Sequence, residues 1–142
     1  MLDQPNISQL LQAVRGYLQN EVVPANQVDG KQPEAALLAI RILSMVEREI
    51  QMDADHLKAE WARLNFVQNT TPTIPADSNE AKAALTERNR KLCEEITAGR
   101  YDYAPARAAL FEHLLMTTRA QLEVANPDFL QALAAEDEKQ SS

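Results

Sequence analysis

A chain of 142 residues with a formal net charge of −7 has the size of one domain and carries no basic footprint for nucleic acid or for an anionic membrane surface. Hydrophobic residues at 45% and charged residues at 25% exclude wholesale disorder, while three glycines and 5% aromatics argue against sandwiches and barrels, whose turns and strands need more of both. Ala, Leu, Glu, Gln and Arg dominate, and as strong helix formers they point to an all-α protein.

No apolar run approaches the ~20 residues of a membrane span. Met1 to Asn6 shows neither the basic start nor the apolar stretch of a secretory leader, and the single Cys93 can form no internal disulfide, so the expected location is the cytoplasm.

The first helix is expected from Ile7 to Val23. Asn6 caps it, Gln9 completes a capping box, and Ile7, Leu10, Leu11, Val14, Leu18 and Val22 form its stripe, with Gly16 as a weak point. Pro24 and Asp29-Gly30 mark the next turn. The second helix starts near Pro33 and runs to Met52, with a main stripe of Ala35, Leu38, Ala39, Ile42, Val46 and Ile50. Leu37, Ile40, Leu43 and Met45 spread apolar character round the rest, the pattern of a central helix or one that also faces a partner subunit. Asp53 or Asp55 then opens a third helix with Leu57, Trp61, Leu64 and Val67.

Gln68 to Ser78, with Pro72 and Pro75, reads as a loop. A fourth helix follows from Asn79 to Ala98, capped by Asp77, with Ala81, Leu85, Leu92 and Ile96 on one face and Gly99 as its terminating residue. The fifth has Pro105 in its first turn and an inward face of Phe111, Leu114, Leu115, Thr118 and Leu122. Asn126-Pro127-Asp128 starts a short sixth helix docked by Phe129, Leu130 and Leu133. The expected fold is therefore all-α, an up-and-down antiparallel bundle of about five helices plus a short C-terminal one. It forms a single domain over 1–135, with a frayed charged tail over 136–142.

Polar residues on apolar stripes are the informative ones, because burying them unpaired is costly. Glu21, Glu49 and Asn89 occupy such positions, and Arg41, Arg88 and Arg107 lie near stripe edges as available partners. Three readings stand open: buried hydrogen bonds that fix helix register, a polar pocket for a small molecule or acyl-CoA, or stripe residues that simply reach solvent at helix ends. Tyr101 and Tyr103, flanking Asp102, either pack across helix ends or line a binding surface.

Metal and catalytic constellations are sparse. Asp53-x-x-His56 is a single imperfect echo of the Glu-x-x-His pairs of carboxylate di-iron bundles. His113 is expected on the surface, turned away from Phe111 and Leu115. One cysteine and two scattered histidines make no zinc pattern, and Cys93 is expected to be partly buried and inert. No serine sits in a nucleophile elbow, and Gly16, Gly30 and Gly99 are too isolated for a phosphate loop. No catalytic residue, metal or cofactor is assigned.

The segment Leu92-Cys93-Glu94-Glu95-Ile96-Thr97-Ala98-Gly99 resembles a bacterial family of small helical proteins of unknown function, often encoded beside acyl-CoA dehydrogenases and aminoglycoside-phosphotransferase-like kinases. Leu10 to Val14 with Glu21-Val22-Val23-Pro24, Val46-Glu47-Arg48-Glu49, and Leu122 to Pro127 support the resemblance by their order and spacing. The second helix departs from the family: where relatives often carry a His and an Arg early in this helix and an Asn further along, Glu34 to Arg41 reads Glu-Ala-Ala-Leu-Leu-Ala-Ile-Arg. The resemblance implies a helical fold and an accessory role near acyl-CoA metabolism.

The leading reading is a non-enzymatic helical accessory or interaction protein that self-associates and partners an acyl-CoA dehydrogenase or a phosphotransferase-like kinase. The second is a small-molecule or acyl-CoA binding module using Glu49, Asn89 and Arg41. The third is a metal-dependent enzyme.

Overall fold

A computed structural model describes residues 5–141. Its elements are α1 (Ile7–Tyr17), a π-helical turn (Leu18–Val22), α2 (Val23–Ala25), α3 (Glu34–Gln68), α4 (Ser78–Thr97), α5 (Ala106–Ala125) and α6 (Pro127–Gln140). Among the described residues there is no strand, only an isolated bridge between Val28 and Lys31, so the fold is all-α. The chain divides into two compact units, Met1–Met52 and Asp53–Ser142. The division falls inside α3.

Helix ends follow the local chemistry. At the start of α1, Asn6 Oδ1 accepts from the Gln9 N–H at 2.9 Å and Gln9 Oε1 accepts from the Asn6 N–H at 2.9 Å, a complete capping box. Asp77 Oδ1 accepts from the Glu80 N–H at 2.9 Å to start α4, and Asn126 Oδ1 accepts from the Phe129 N–H at 3.3 Å to start α6. α4 ends in a Schellman motif: the Gly99 N–H donates to the Ile96 carbonyl and the Arg100 N–H to the Glu95 carbonyl, with Gly99 at φ +80°. A Cβ there would also meet the Asp102 carboxylate at 2.9 Å, a contact that this exposed side chain can relieve, so the positive φ is what calls for glycine. α3 ends the same way, with Asn69 at φ +50° in place of glycine.

Three expectations are corrected. The second and third helices are one 35-residue helix, α3. No Gly or Pro interrupts the chain between Pro33 and Pro72, and Asp53 caps nothing: its carboxylate pairs with Lys82 of α4 at 2.7 Å. The first helix does not run evenly to Val23. Its ladder widens to a π turn, the Val23 N–H donating to the Leu18 carbonyl, just before Pro24, whose ring cannot share an α-helical turn with the carbonyl four residues back. Finally, α6 continues through the acidic Glu136–Glu138 stretch to Gln140, where a frayed tail was expected from 136.

In the first unit Leu11 and Arg15 of α1 and Leu18 and Val22 of the π-helical turn are half-buried at helical spacing. On α3 the half-buried Ala36, Ile40 and Leu43 share a side with the buried Glu47. The main stripe read from the sequence, Leu38, Ile42, Val46 and Ile50, is the exposed one. α3 is apolar on two sides here, and the side that meets α1 is the one carrying the partner for Arg15.

In the second unit, Trp61, Leu64, Leu85, Leu92, Tyr101 and Leu110 form the core, with Leu57, Val67, Ile74, Ala84 and Ala106 packed against it. The loop of residues 69–77 is tied across this core. Trp61 Nε1 donates to the Pro72 carbonyl at 2.9 Å, and Ile74 packs on the cluster. On α5 the buried side chains are Leu110, His113 and Val124. Phe111, Leu114 and Leu115, expected inward, are exposed.

Candidate functional site

The polar residues that gather in the second unit come from three helices. Glu60 and Arg63 lie one turn apart on α3, Arg88 and Asn89 are consecutive on α4, and His113 and Thr117 are one turn apart on α5. Asn89 Nδ2 donates to Glu60 Oε1 at 3.0 Å. Arg63 donates to Thr117 Oγ1 at 3.3 Å. Arg88 stacks over the Trp61 ring, 4.6 Å from its centroid, and donates to Gln68 Oε1 at 3.1 and 3.3 Å and to Thr70 Oγ1 at 3.4 Å. No carboxylate forms an ion pair with Arg63 or Arg88 among the described pairs. Three nitrogens in this cluster are buried without any hydrogen-bond partner: Arg63 Nε, Arg88 Nη1 and His113 Nδ1.

His113 is 2% exposed, which corrects its assignment to the surface. Burial pulls its imidazole below the ordinary value; the Glu60 carboxylate pushes it back up, and the Arg63 and Arg88 guanidiniums push it down again. The net direction is down, so His113 is neutral at pH 7. Burial also lowers the Arg88 guanidinium from its usual value. The sign for stability follows from linkage. A base depressed in the folded state binds fewer protons there than in the unfolded chain, so stability is complete above the unfolded value of 6.5 and falls as pH drops below it toward the depressed folded value. Urea unfolding followed by Trp61 fluorescence between pH 8 and 5.5 is expected to show this decline, at most about 1.4 kcal/mol per pH unit. The His113→Gln protein is expected to show a flatter profile over the same range.

Beside this cluster lies a cavity of about 300 Å³ lined by Ala62, Arg63, Phe66, Val67, Ala109, Glu112 and His113.

Of the residues singled out in the sequence, Asn89 belongs to the cluster, paired with Glu60, and Arg88 joins it. Glu21, Arg41 and Glu49 are exposed and lie in the first unit; Glu47, two residues before Glu49, is the buried acid there, 7% exposed. Its carboxylate receives Arg15 Nε at 3.1 and 3.3 Å. Tyr101 is buried, and its hydroxyl donates to Glu95 Oε2 at 2.8 Å. Burial first, and then this carboxylate, push the phenol up to about 12. Tyr101 thus packs across the α4 terminus, whereas Tyr103 is 81% exposed. His56 lies within α3 and meets Glu123 of α5 at 3.0 Å. Cys93 is exposed rather than partly buried. Among the described residues, no three His, Cys, Asp or Glu side chains converge to hold a metal ion, and no helix is long and apolar enough to cross a membrane. Glu60 and Arg63 were not singled out in the sequence, and His113 was expected on the surface. Glu60 and Arg63 flank Trp61 and Leu64 on the core side of α3, and that adjacency was the available signal.

Fold and site together define a small all-helical protein with a polar cluster set at a three-helix junction. The chain belongs to a domain family of unknown function (DUF6285), whose model matches residues 26–129. The match takes in α3, α4 and α5 and the start of α6, and leaves α1 outside it. No curated protein and no solved structure matches the chain.

Proposed function

We propose that this protein is a non-enzymatic helical interaction protein that works as a self-associated assembly, joined through the apolar faces of its first unit. The carrying observation is the exposed seam of α1. Ile7, Leu10, Val14 and Tyr17 recur at the three-four spacing of a coiled-coil stripe and are 51–63% exposed. Leu38, Ile42, Met45, Val46 and Ile50 repeat the pattern on α3 in the same unit. Val23, 8% exposed, is the one buried aliphatic among residues 5–52. A unit of roughly 50 residues seldom supplies a sufficient core alone, and oligomerisation is a usual remedy. Two helices with exposed apolar seams fit a second copy of themselves in a four-helix arrangement. Charge does not oppose this contact strongly. Residues 1–52 hold six acids and four Lys or Arg, a net −2 of the chain's −7.

Light scattering and sedimentation on the purified chain at about 100 µM, far above the Kd of a stable dimer, are expected to give a dimer. Leu10→Glu, which puts a charge in the seam without touching a buried residue, is expected to give a monomer with unchanged helicity. A wild-type monomer at that concentration removes the proposal. Within this reading the protein partners are an acyl-CoA dehydrogenase or a phosphotransferase-like kinase, and co-purification from co-expressing cells tests each one.

A further inference from the structure

We propose that, in the self-associated assembly, Arg41 of one copy pairs with Glu49 of a second copy and Glu49 with the second copy's Arg41, so that the two α3 helices meet antiparallel about a two-fold axis beside Met45. This inference rests on the self-association proposed above and adds the residues that set its orientation and register.

Arg41 and Glu49 are exposed, and neither belongs to an ion pair among the described residues. Their own helix cannot supply one. The residues three and four places from Arg41 are Leu37, Leu38, Ser44 and Met45; those around Glu49 are Met45, Val46, Met52 and Asp53. None carries the opposite charge, and Asp53 is an acid already paired with Lys82. Both residues nevertheless adjoin the apolar side of α3, where Leu38 is 57% exposed, Met45 37% and Val46 38%. Covering that side takes water away from the two charges beside it, and an opposite charge on the covering surface offsets the loss.

The spacing makes this side complementary to itself. Arg41, Met45 and Glu49 follow one another at four residues and so form one ridge of the helix surface. The ridge is cationic at one end and acidic at the other, and its ends are about 12 Å apart. Parallel helices in register would set Arg41 against Arg41 and Glu49 against Glu49. Turned antiparallel about Met45, the same ridge brings each Arg41 to an acid, twice over, as an isologous contact requires. Met45 then meets its own copy on the axis, and an unbranched thioether side chain adapts readily to such a position.

Charge reversal in the intact chain tests the pairing, with sedimentation equilibrium over a concentration series reaching about 100 µM. Arg41→Glu and Glu49→Arg are each expected to weaken the dimer by about tenfold or more with helicity unchanged, because each sets two pairs of like charges across the contact. The double variant Arg41→Glu/Glu49→Arg restores both pairs and is expected to return to within about threefold of the wild-type Kd. The two single variants, mixed in equal amounts, are expected to form the heterodimer in preference to either homodimer, as read by native mass spectrometry. Net charge alone predicts a different pattern, since Glu49→Arg brings the chain's −7 nearer to neutrality and would by itself favour association. A wild-type dimer that both reversals leave intact, a double variant no tighter than either single one, or a mixture without preference for the heterodimer overturns the pairing and leaves the self-association standing. A wild-type monomer overturns the self-association and this pairing with it.

Discussion

Leu64→Ala is expected to destabilise the second unit by about 3–4 kcal/mol, the upper-middle of the range for a fully buried leucine. Leu64 is 0% exposed and sits amid Trp61, Leu85, Leu92, Tyr101 and Leu110, which come from α3 itself, from α4 and α5, and from the turn after α4. Truncation removes the transfer free energy of three carbons and leaves a hole that these neighbours cannot close. Trp61 is held at its ring nitrogen by the Pro72 carbonyl and on its face by Arg88, and Tyr101 is held by Glu95. The polar anchors round the core therefore prevent the collapse that would soften the loss. For a unit of about 90 residues, such a loss lowers Tm by roughly 15–25 °C. Trp61 is the chain's single tryptophan and a member of the same cluster, so its fluorescence reports the unfolding of this unit specifically. Leu133→Ala, on the exposed side of α6, is expected to cost under about 1 kcal/mol and serves as the comparator. A loss at Leu64 no larger than that at Leu133 would show that the core is assembled otherwise.

Much of the fold was legible because it is written locally. Asn6 with Gln9, Asp77 before Glu80, Asn126 before Pro127, and Gly99 each make contacts within a few residues, and each acts where its chemistry requires. The fused helix α3 was not legible, since Asp53 is a good capping residue until Lys82 arrives from a different helix to pair with it. That is tertiary context overriding a local preference. The buried faces failed for a related reason. α3 and α5 each carry apolar residues on two sides, and periodicity measures how strong a stripe is, not which neighbour it meets. On α3 the stronger stripe, Leu38-Ile42-Val46-Ile50, is the exposed one; on α5 it is Phe111, Leu114 and Leu115.

The candidate site was half legible for the same physical reason. Asn89 between Leu85 and Leu92 is a polar residue inside an unambiguous stripe, and it lies where expected, bonded to Glu60. His113 was placed on the surface because Phe111 and Leu115 were taken as the inward side of α5. Turning the helix so that Leu110 faces the core brings His113 and Thr117 in with it, toward Arg63. Once a helix has two apolar sides, the side that carries a lone polar residue is as able to face the core as the cleaner one, provided that neighbouring helices supply the charges that residue meets.

The same principle makes a sharp prediction for the first unit. Arg15→Met is expected to destabilise it by about 3 kcal/mol, because it strands the Glu47 carboxylate, 7% exposed, without the guanidinium that now bonds both its oxygens. Glu47→Met should cost less, about 1 kcal/mol, since Arg15 is half-buried and its side chain can swing its charge into water. The double variant is expected to recover most of the loss, two methionines filling the space between α1 and α3 with no charge to desolvate. The measurement is hydrogen exchange of the α1 amides, read as a double-mutant cycle. Coupling near zero would mean that the pair is a surface contact, and that α1 is held by Leu11, Leu18 and Val22 alone. Coupling of about 3 kcal/mol would make Arg15–Glu47 the device that selects which of the two apolar sides of α3 meets α1. By fixing the Glu47 side inward it leaves the Leu38-Ile42-Val46-Ile50 side facing out, available to a second copy of the chain. Under the proposed self-association, Arg15→Met is then expected to weaken assembly as well as stability, and Leu10→Glu to weaken assembly alone.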